Sequence, residues 1–187
     1  MNGKSILVAA AVALGLMVAG VASAQTLDLT KQYQVLARKD VKKMQRDLNK
    51  AGQNGIRVVT GNQTGGEELI YLLEKDQKNE SNYEYLIVSA GELTKLEQAL
   101  SRGARQGFRL VPGTITLKSK KLGSGDIVML LEKGPRTEGS YEYLLLDASL
   151  PSSMAVTLAS SVDQGYRAVS MLKKGKQMLL VLEKHGK

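Results

Sequence analysis

No cysteine occurs anywhere in the chain, so no disulfide can staple the fold and no thiol can serve as nucleophile, lipid anchor or metal ligand. The one histidine, His185, lies close to the C-terminus, where fraying is expected. Metal centres of the Cys/His type and histidine-based proton transfer are therefore not expected. There is no tryptophan and a single phenylalanine, so a stacking platform of the usual kind for nucleic acid is not expected. Carboxylates are present in number, but no two stand apart from surface charge, so a carboxylate-based hydrolase is the remotest reading. No catalytic residue, cofactor site or metal site is assigned, and the chain is read as leaning away from enzymes.

Positive charge is in excess, with 26 Lys+Arg against 18 Asp+Glu. The segment 1–24 pairs Lys4 with an apolar run from Ile6 to Val21 and ends in Ala22-Ser23-Ala24. A cleaved signal peptide, cut after Ala24 to leave Gln25, is expected; the alternative is an uncleaved membrane anchor. The Ala-rich h-region, with Ala9-Ala10-Ala11, has a bacterial character. The expected location is periplasmic or secreted. In that setting the anionic neighbours of a basic protein are lipid headgroups and acidic polysaccharide, and nucleic acid is not expected.

The dominant signal is self-similarity. Gly55-Ile56-Arg57-Val58-Val59 returns as Gly107-Phe108-Arg109-Leu110-Val111 and as Gly165-Tyr166-Arg167-Ala168-Val169. Each copy is followed by an apolar run ending in Glu74-Lys75, Glu132-Lys133 or Glu183-Lys184. A recurring segment fixes architecture before any strand is assigned. After a linker at 25–32, the repeats span 33–75, 83–133 and 141–184, and one unit alone would be only marginally stable. One compact domain of three fused units is expected.

Each unit reads as β-α-β-β. Tyr33 to Ala37, Tyr83 to Ser89 and Tyr141 to Leu146 are short apolar strands. Met44 and Leu48, Leu96 and Leu100, and Met154 and Leu158 recur at helical spacing. Gly55, Gly107 and Gly165 then stand where a left-handed residue ends a helix. Gly65-Gly66 reads as a two-residue hairpin, whereas the second unit carries a longer basic excursion, Lys118 to Asp126. The Gly123-Ser124-Gly125-Asp126 stretch within it lacks the ending of a phosphate loop and reads as a hairpin loop. The predicted fold is α+β: three tandem β-α-β-β repeats forming one curved or closed mixed sheet with three helices on one face.

A simple hairpin register sets Arg57 opposite Glu74, Arg109 opposite Glu132 and Arg167 opposite Glu183. These six residues are expected to form structural cross-strand pairs. The hairpin strands carry apolar residues on both faces, with Val59, Ile70 and Leu72 on one and Ile56, Val58, Tyr71 and Leu73 on the other. An antiparallel sheet with one wet face should alternate. Something must cover the second face: closure of the sheet, or a partner.

Two weaker features remain. The first helix region is dense in Arg38, Lys39, Lys42, Lys43 and Arg46, and the excursion adds Lys118, Lys120 and Lys121. This cluster is the candidate anion-binding surface, set against a merely solvated helix face. The tyrosine pairs Tyr83 with Tyr85 and Tyr141 with Tyr143 are each expected to pack one ring and leave the other at a rim.

Tyr-Glu-Tyr, an amphipathic helix, Gly-aromatic-Arg-Leu/Val-Val and an apolar closing strand resemble short bacterial domains of unknown function whose helix ends in Gly-Trp-Glu-Leu-Val. Here Ile56, Phe108 or Tyr166 replaces the tryptophan, and arginine replaces the glutamate. The resemblance implies a fold and no activity. The functional expectation is an exported, non-enzymatic envelope protein that binds another protein or itself through an apolar sheet face. The alternative is a binder of anionic envelope polymer or lipid headgroups through the first helix and the second unit's loop.

Overall fold

The computed structural model describes residues 27–64, 67–76, 82–119, 125–135, 137, 139–148 and 151–186. The expected signal segment with its cut after Ala24, the Gly65-Gly66 turn, Lys120, Lys121, Gly123 and Ser124 lie outside the described residues. The fold is α+β: the described residues form three helices and three antiparallel sheets, none of them closed.

The first sheet holds β1 (Tyr33–Arg38), β2 (Ile56–Gln63) and β3 (Leu69–Lys75), with α1 (Val41–Gly52) between β1 and β2. The second holds β4 (Glu84–Ala90), β5 (Arg109–Leu110), β6 (Thr116–Ser119) and β7 (Gly125–Lys133), with α2 (Leu93–Arg105) after β4. The third holds β8 (Tyr141–Ala148), β9 (Arg167–Lys174) and β10 (Gln177–His185), with α3 (Pro151–Asp163) after β8. In each sheet the last strand is central, so the orders are β1-β3-β2, β4-β7-β5 and β8-β10-β9, with β6 also on β7.

Local sequence explains the elements. Asp40 caps α1 by accepting the Lys43 N–H at 2.7 Å, and this bond holds the Asp40 carboxyl below its ordinary range. Met44, Leu48 and Ala51 then fall on one buried stripe. Gly55, Gly107 and Gly165 take φ of 69°, 85° and 89°, the left-handed turn that only glycine enters without strain, and each sends the chain into its second strand.

The second strands are interrupted. Val59 is an extra residue between the pairs Val58↔Leu73 and Thr60↔Leu72, and Val169 is one between Ala168↔Leu182 and Ser170↔Val181. In the second sheet β5 stops at Leu110, the chain turns, and pairing with β7 resumes at Thr116↔Val128. The expectation of one unbroken hairpin register is thus corrected. A bulge shifts every residue beyond it by one place on the partner strand.

The expected single curved or closed mixed sheet with helices on one face does not form. Every pairing is antiparallel within its own sheet, and the helices alternate with the sheets. The reason lies in side chains that occupy the edge strands. Asn49 of α1 accepts from Tyr85 N at 2.6 Å and donates to Tyr85 O at 3.2 Å, and Gln45 accepts from Ile87 N at 3.0 Å. Glu97 of α2 takes Leu145 N of β8 in the same way, at 3.1 Å. A strand edge whose N–H groups are filled by a helix offers nothing to a neighbouring strand.

The layering also explains the two-faced strands. Leu36, Met44, Leu48, Tyr71 and Leu73 of the first sheet and helix share a core with Tyr85, Ile87, Val128 and Leu130 from one face of the second sheet. The opposite face of that sheet packs with α2 and with Tyr143, Leu145, Leu179 and Val181 of the third. The second sheet therefore has α2 on one side and α1 with the first sheet on the other.

Candidate interaction site

A tyrosine near the start of each first strand lies opposite the closing glutamate of its own sheet: Tyr33↔Glu74, Tyr85↔Glu132 and Tyr143↔Glu183. In the second and third sheets, this pair receives a guanidinium and a backbone N–H from the sheet before it. Arg57 Nε donates to Glu132 Oε1 and Oε2 at 3.0 and 3.1 Å, Tyr85 Oη donates to Glu132 Oε2 at 3.1 Å, and Val58 N donates to Tyr85 Oη at 2.9 Å. The next joint repeats the pattern. Arg109 Nε and Nη2 reach Glu183 Oε2 and Oε1 at 3.0 and 2.9 Å, Tyr143 Oη donates to Glu183 Oε2 at 3.2 Å, and Leu110 N donates to Tyr143 Oη at 2.7 Å. Arg109 also lies over the Tyr141 ring, 4.9 Å from its centre.

These contacts correct the expected ion pairs. The register does place Arg57 opposite Glu74, Arg109 opposite Glu132 and Arg167 opposite Glu183. Arg167 bonds the glutamate it faces, Nη2 to Oε1 at 2.7 Å. Arg57 and Arg109 bond one unit ahead. The physical reason is burial: the Glu132 and Glu183 side chains are 3% and 1% exposed, and a carboxylate out of water needs charged donors on every open side. Burial alone would raise the Glu183 carboxyl, yet Arg109 and Arg167 together hold it below its ordinary value. Burial and the adjacent carboxylates push the Tyr85 and Tyr143 phenols far up, so both stay protonated donors.

The tyrosine expectation is corrected as well. Tyr83, Tyr85, Tyr141 and Tyr143 are all buried, and none lies at a rim. His185 is the last residue of β10, pairs with Tyr141 across the ladder and sets its ring 5.1 Å from the Tyr141 ring, so the expected fraying is absent there.

The first sheet carries a Tyr–Glu bond of the same kind at an open end. Tyr33 Oη donates to Glu74 Oε1 at 2.8 Å, and that bond raises the Tyr33 phenol. Tyr33 is 57% exposed and Val35 47%, whereas Tyr85 and Ile87, in the same register places, are 2% and 8%. At the other end, the Arg167 side chain is 63% exposed.

The basic cluster is partly assembled. Lys118 Nζ donates to Lys39 O at 2.6 Å, which brings β6 against the start of α1. Lys39, Lys42, Lys43 and Arg46 are exposed, while Arg38 is drawn into a 2.7 Å ion pair with Asp47. A groove of about 500 Å³ on α2 is lined by Thr94, Glu97, Gln98, Ser101, Arg102 and Arg105, and its one carboxylate is the one that holds Leu145 N. Among the described residues no group of three or more His, Asp or Glu is placed to hold a metal, and no helix is long and apolar enough to cross a membrane. The helix residues Gln45, Asn49 and Glu97 carry no distinguishing signal in the sequence; their spacing is that of any solvated helix face. The chain matches no protein-family model, no curated protein and no solved structure.

Proposed function

We propose that the chain is built of three copies of one strand–helix–strand–strand module stacked end to end, and that it works as a non-enzymatic, exported bacterial envelope protein that binds protein. The binding surface is the outward face of the first sheet. One observation carries this reading: Tyr33 and Val35 are open to solvent in register places where the second sheet buries Tyr85 and Ile87 against another unit. Ile70 and Leu72, half-buried, extend the same apolar face on β3.

The buried acids argue against hydrolysis. Glu132 and Glu183 are each engaged by an arginine and a tyrosine, and the depressed Glu183 carboxyl is the reverse of what a general acid requires. The test is a photo-crosslinking residue placed at Val35, irradiated in the intact envelope, with Lys50 on the exposed side of α1 as reference. Protein adducts at position 35 and none at 50 are expected. No adduct at 35 overturns the reading.

The juxtaposition of Lys118 with Lys39 supports a second reading, in which α1 and β6 bind anionic polymer or lipid headgroups. Reversing Lys42, Lys43 and Arg46 to glutamate should abolish retention on anionic liposomes. Unchanged retention removes it.

A further inference from the structure

We infer that the protein associates head to tail with further copies of itself, the end of the third unit docking on the outward face of the first. This rests on the proposed protein-binding role of that face and names its partner. The argument is continuity with the two joints inside the chain. Each joint needs, from the upper unit, a tyrosine hydroxyl bonded to a glutamate; from the lower unit, an arginine and the N–H that follows it. Both halves also stand open, at opposite ends of the molecule. Tyr33 and Glu74 present the first half on the first sheet. Arg167 and the exposed Ala168 present the second on β9.

Apolar surface accompanies both. Val162 of α3 stands three residues before Gly165, as Gly52, which lies against Tyr83, stands before Gly55; Val162 and Met171 of β9 are 54% and 60% exposed, and Tyr33 and Val35 are the surface they would meet. Between copies, Arg167 would exchange Glu183 for Glu74, or bridge both, and Ala168 N would donate to Tyr33 Oη. One difference sets the strength. Gln45 and Asn49 of α1 hold the next edge strand, but the corresponding places in α3 are Ala155 and Ala159. The joint between copies lacks those bonds and is weaker than the joints within a chain. An interface of unlike halves has no twofold axis, so it propagates into rings or filaments instead of stopping at a dimer.

The experiment is charge reversal at both halves, read by light scattering across a concentration series. Wild-type mass should climb with concentration beyond two chains. Arg167→Glu and Glu74→Arg should each weaken association about tenfold or more, since each then opposes like charges. Mixing the two variants should restore assembly, because every head then meets a complementary tail; thermal melts verify that both variants fold. A wild-type chain that stays monomeric or stops at a dimer, or a mixture that fails to recover, overturns the inference. A monomer that still crosslinks from position 35 to a different protein overturns the inference alone, whereas a monomer with no adduct overturns the protein-binding reading too.

Discussion

Arg109 faces Glu132 across its own sheet but bonds Glu183, 74 residues further on, with two contacts of 3.0 and 2.9 Å. Arg57 does the same one unit earlier, bonding Glu132, 75 residues on, while facing Glu74. The arginines are therefore bolts between units. Charged groups that a sheet surface would normally leave in water are buried where two units close on one another, and each has partners that make that burial tolerable.

Glu183 makes stability depend on acid. Its folded carboxyl lies below the ordinary value of 4.5 because Arg109 and Arg167 outweigh the cost of burial. A depressed folded value contributes stability that is complete above the unfolded value and is lost as pH falls through the folded one. Melting temperature should accordingly fall as pH drops below about 5. Glu183→Gln should melt lower at pH 7 and show a shallower decline between about pH 5 and pH 3. Parallel curves for the two proteins would mean that Glu183 does not carry this dependence.

The tyrosine hydroxyls are predicted to matter only where a second unit uses them. Tyr85→Phe strips the buried Val58 N–H of its acceptor and Glu132 of a donor, which should cost about 1–3 kcal/mol in urea unfolding. Tyr143→Phe should behave alike through Leu110 N and Glu183. Tyr33→Phe removes an exposed bond to Glu74 and should stay within about 0.5 kcal/mol of wild type.

Gly52 offers a test in which helix propensity and packing disagree. It is the last residue of α1, where alanine would gain at most about 1 kcal/mol by propensity alone. A Cβ there would run into the Tyr83 carbonyl oxygen, and the neighbouring unit's backbone cannot step aside cheaply. Gly52→Ala should lower the melting temperature. A rise would mean that the first two units close less tightly than described.

Much of this architecture was readable beforehand, and the reasons are local. Met44 with Leu48, the left-handed glycines at 55, 107 and 165, and the short first strands all obey rules acting within a few residues. The layering was not readable. The pairing of Arg57 with Glu74 satisfies a hairpin register as well as the observed bond to Glu132 does, and nothing in the chain says that a second unit will bring a buried carboxylate nearer. Val59 and Val169 resemble ordinary strand residues until the bulges are seen. Gln45, Asn49 and Glu97 read as solvent-facing polar residues because their targets are backbone N–H groups of another unit.

The most direct test is a pair of double-mutant cycles in urea unfolding, one crossing Arg57→Ala with Glu132→Gln and the other crossing it with Glu74→Gln. The joint between units predicts a coupling of about 1–3 kcal/mol for Arg57 with Glu132 and a value near zero for Arg57 with Glu74. Strong coupling to Glu74 and none to Glu132 would return Arg57 to its own hairpin and contradict the account.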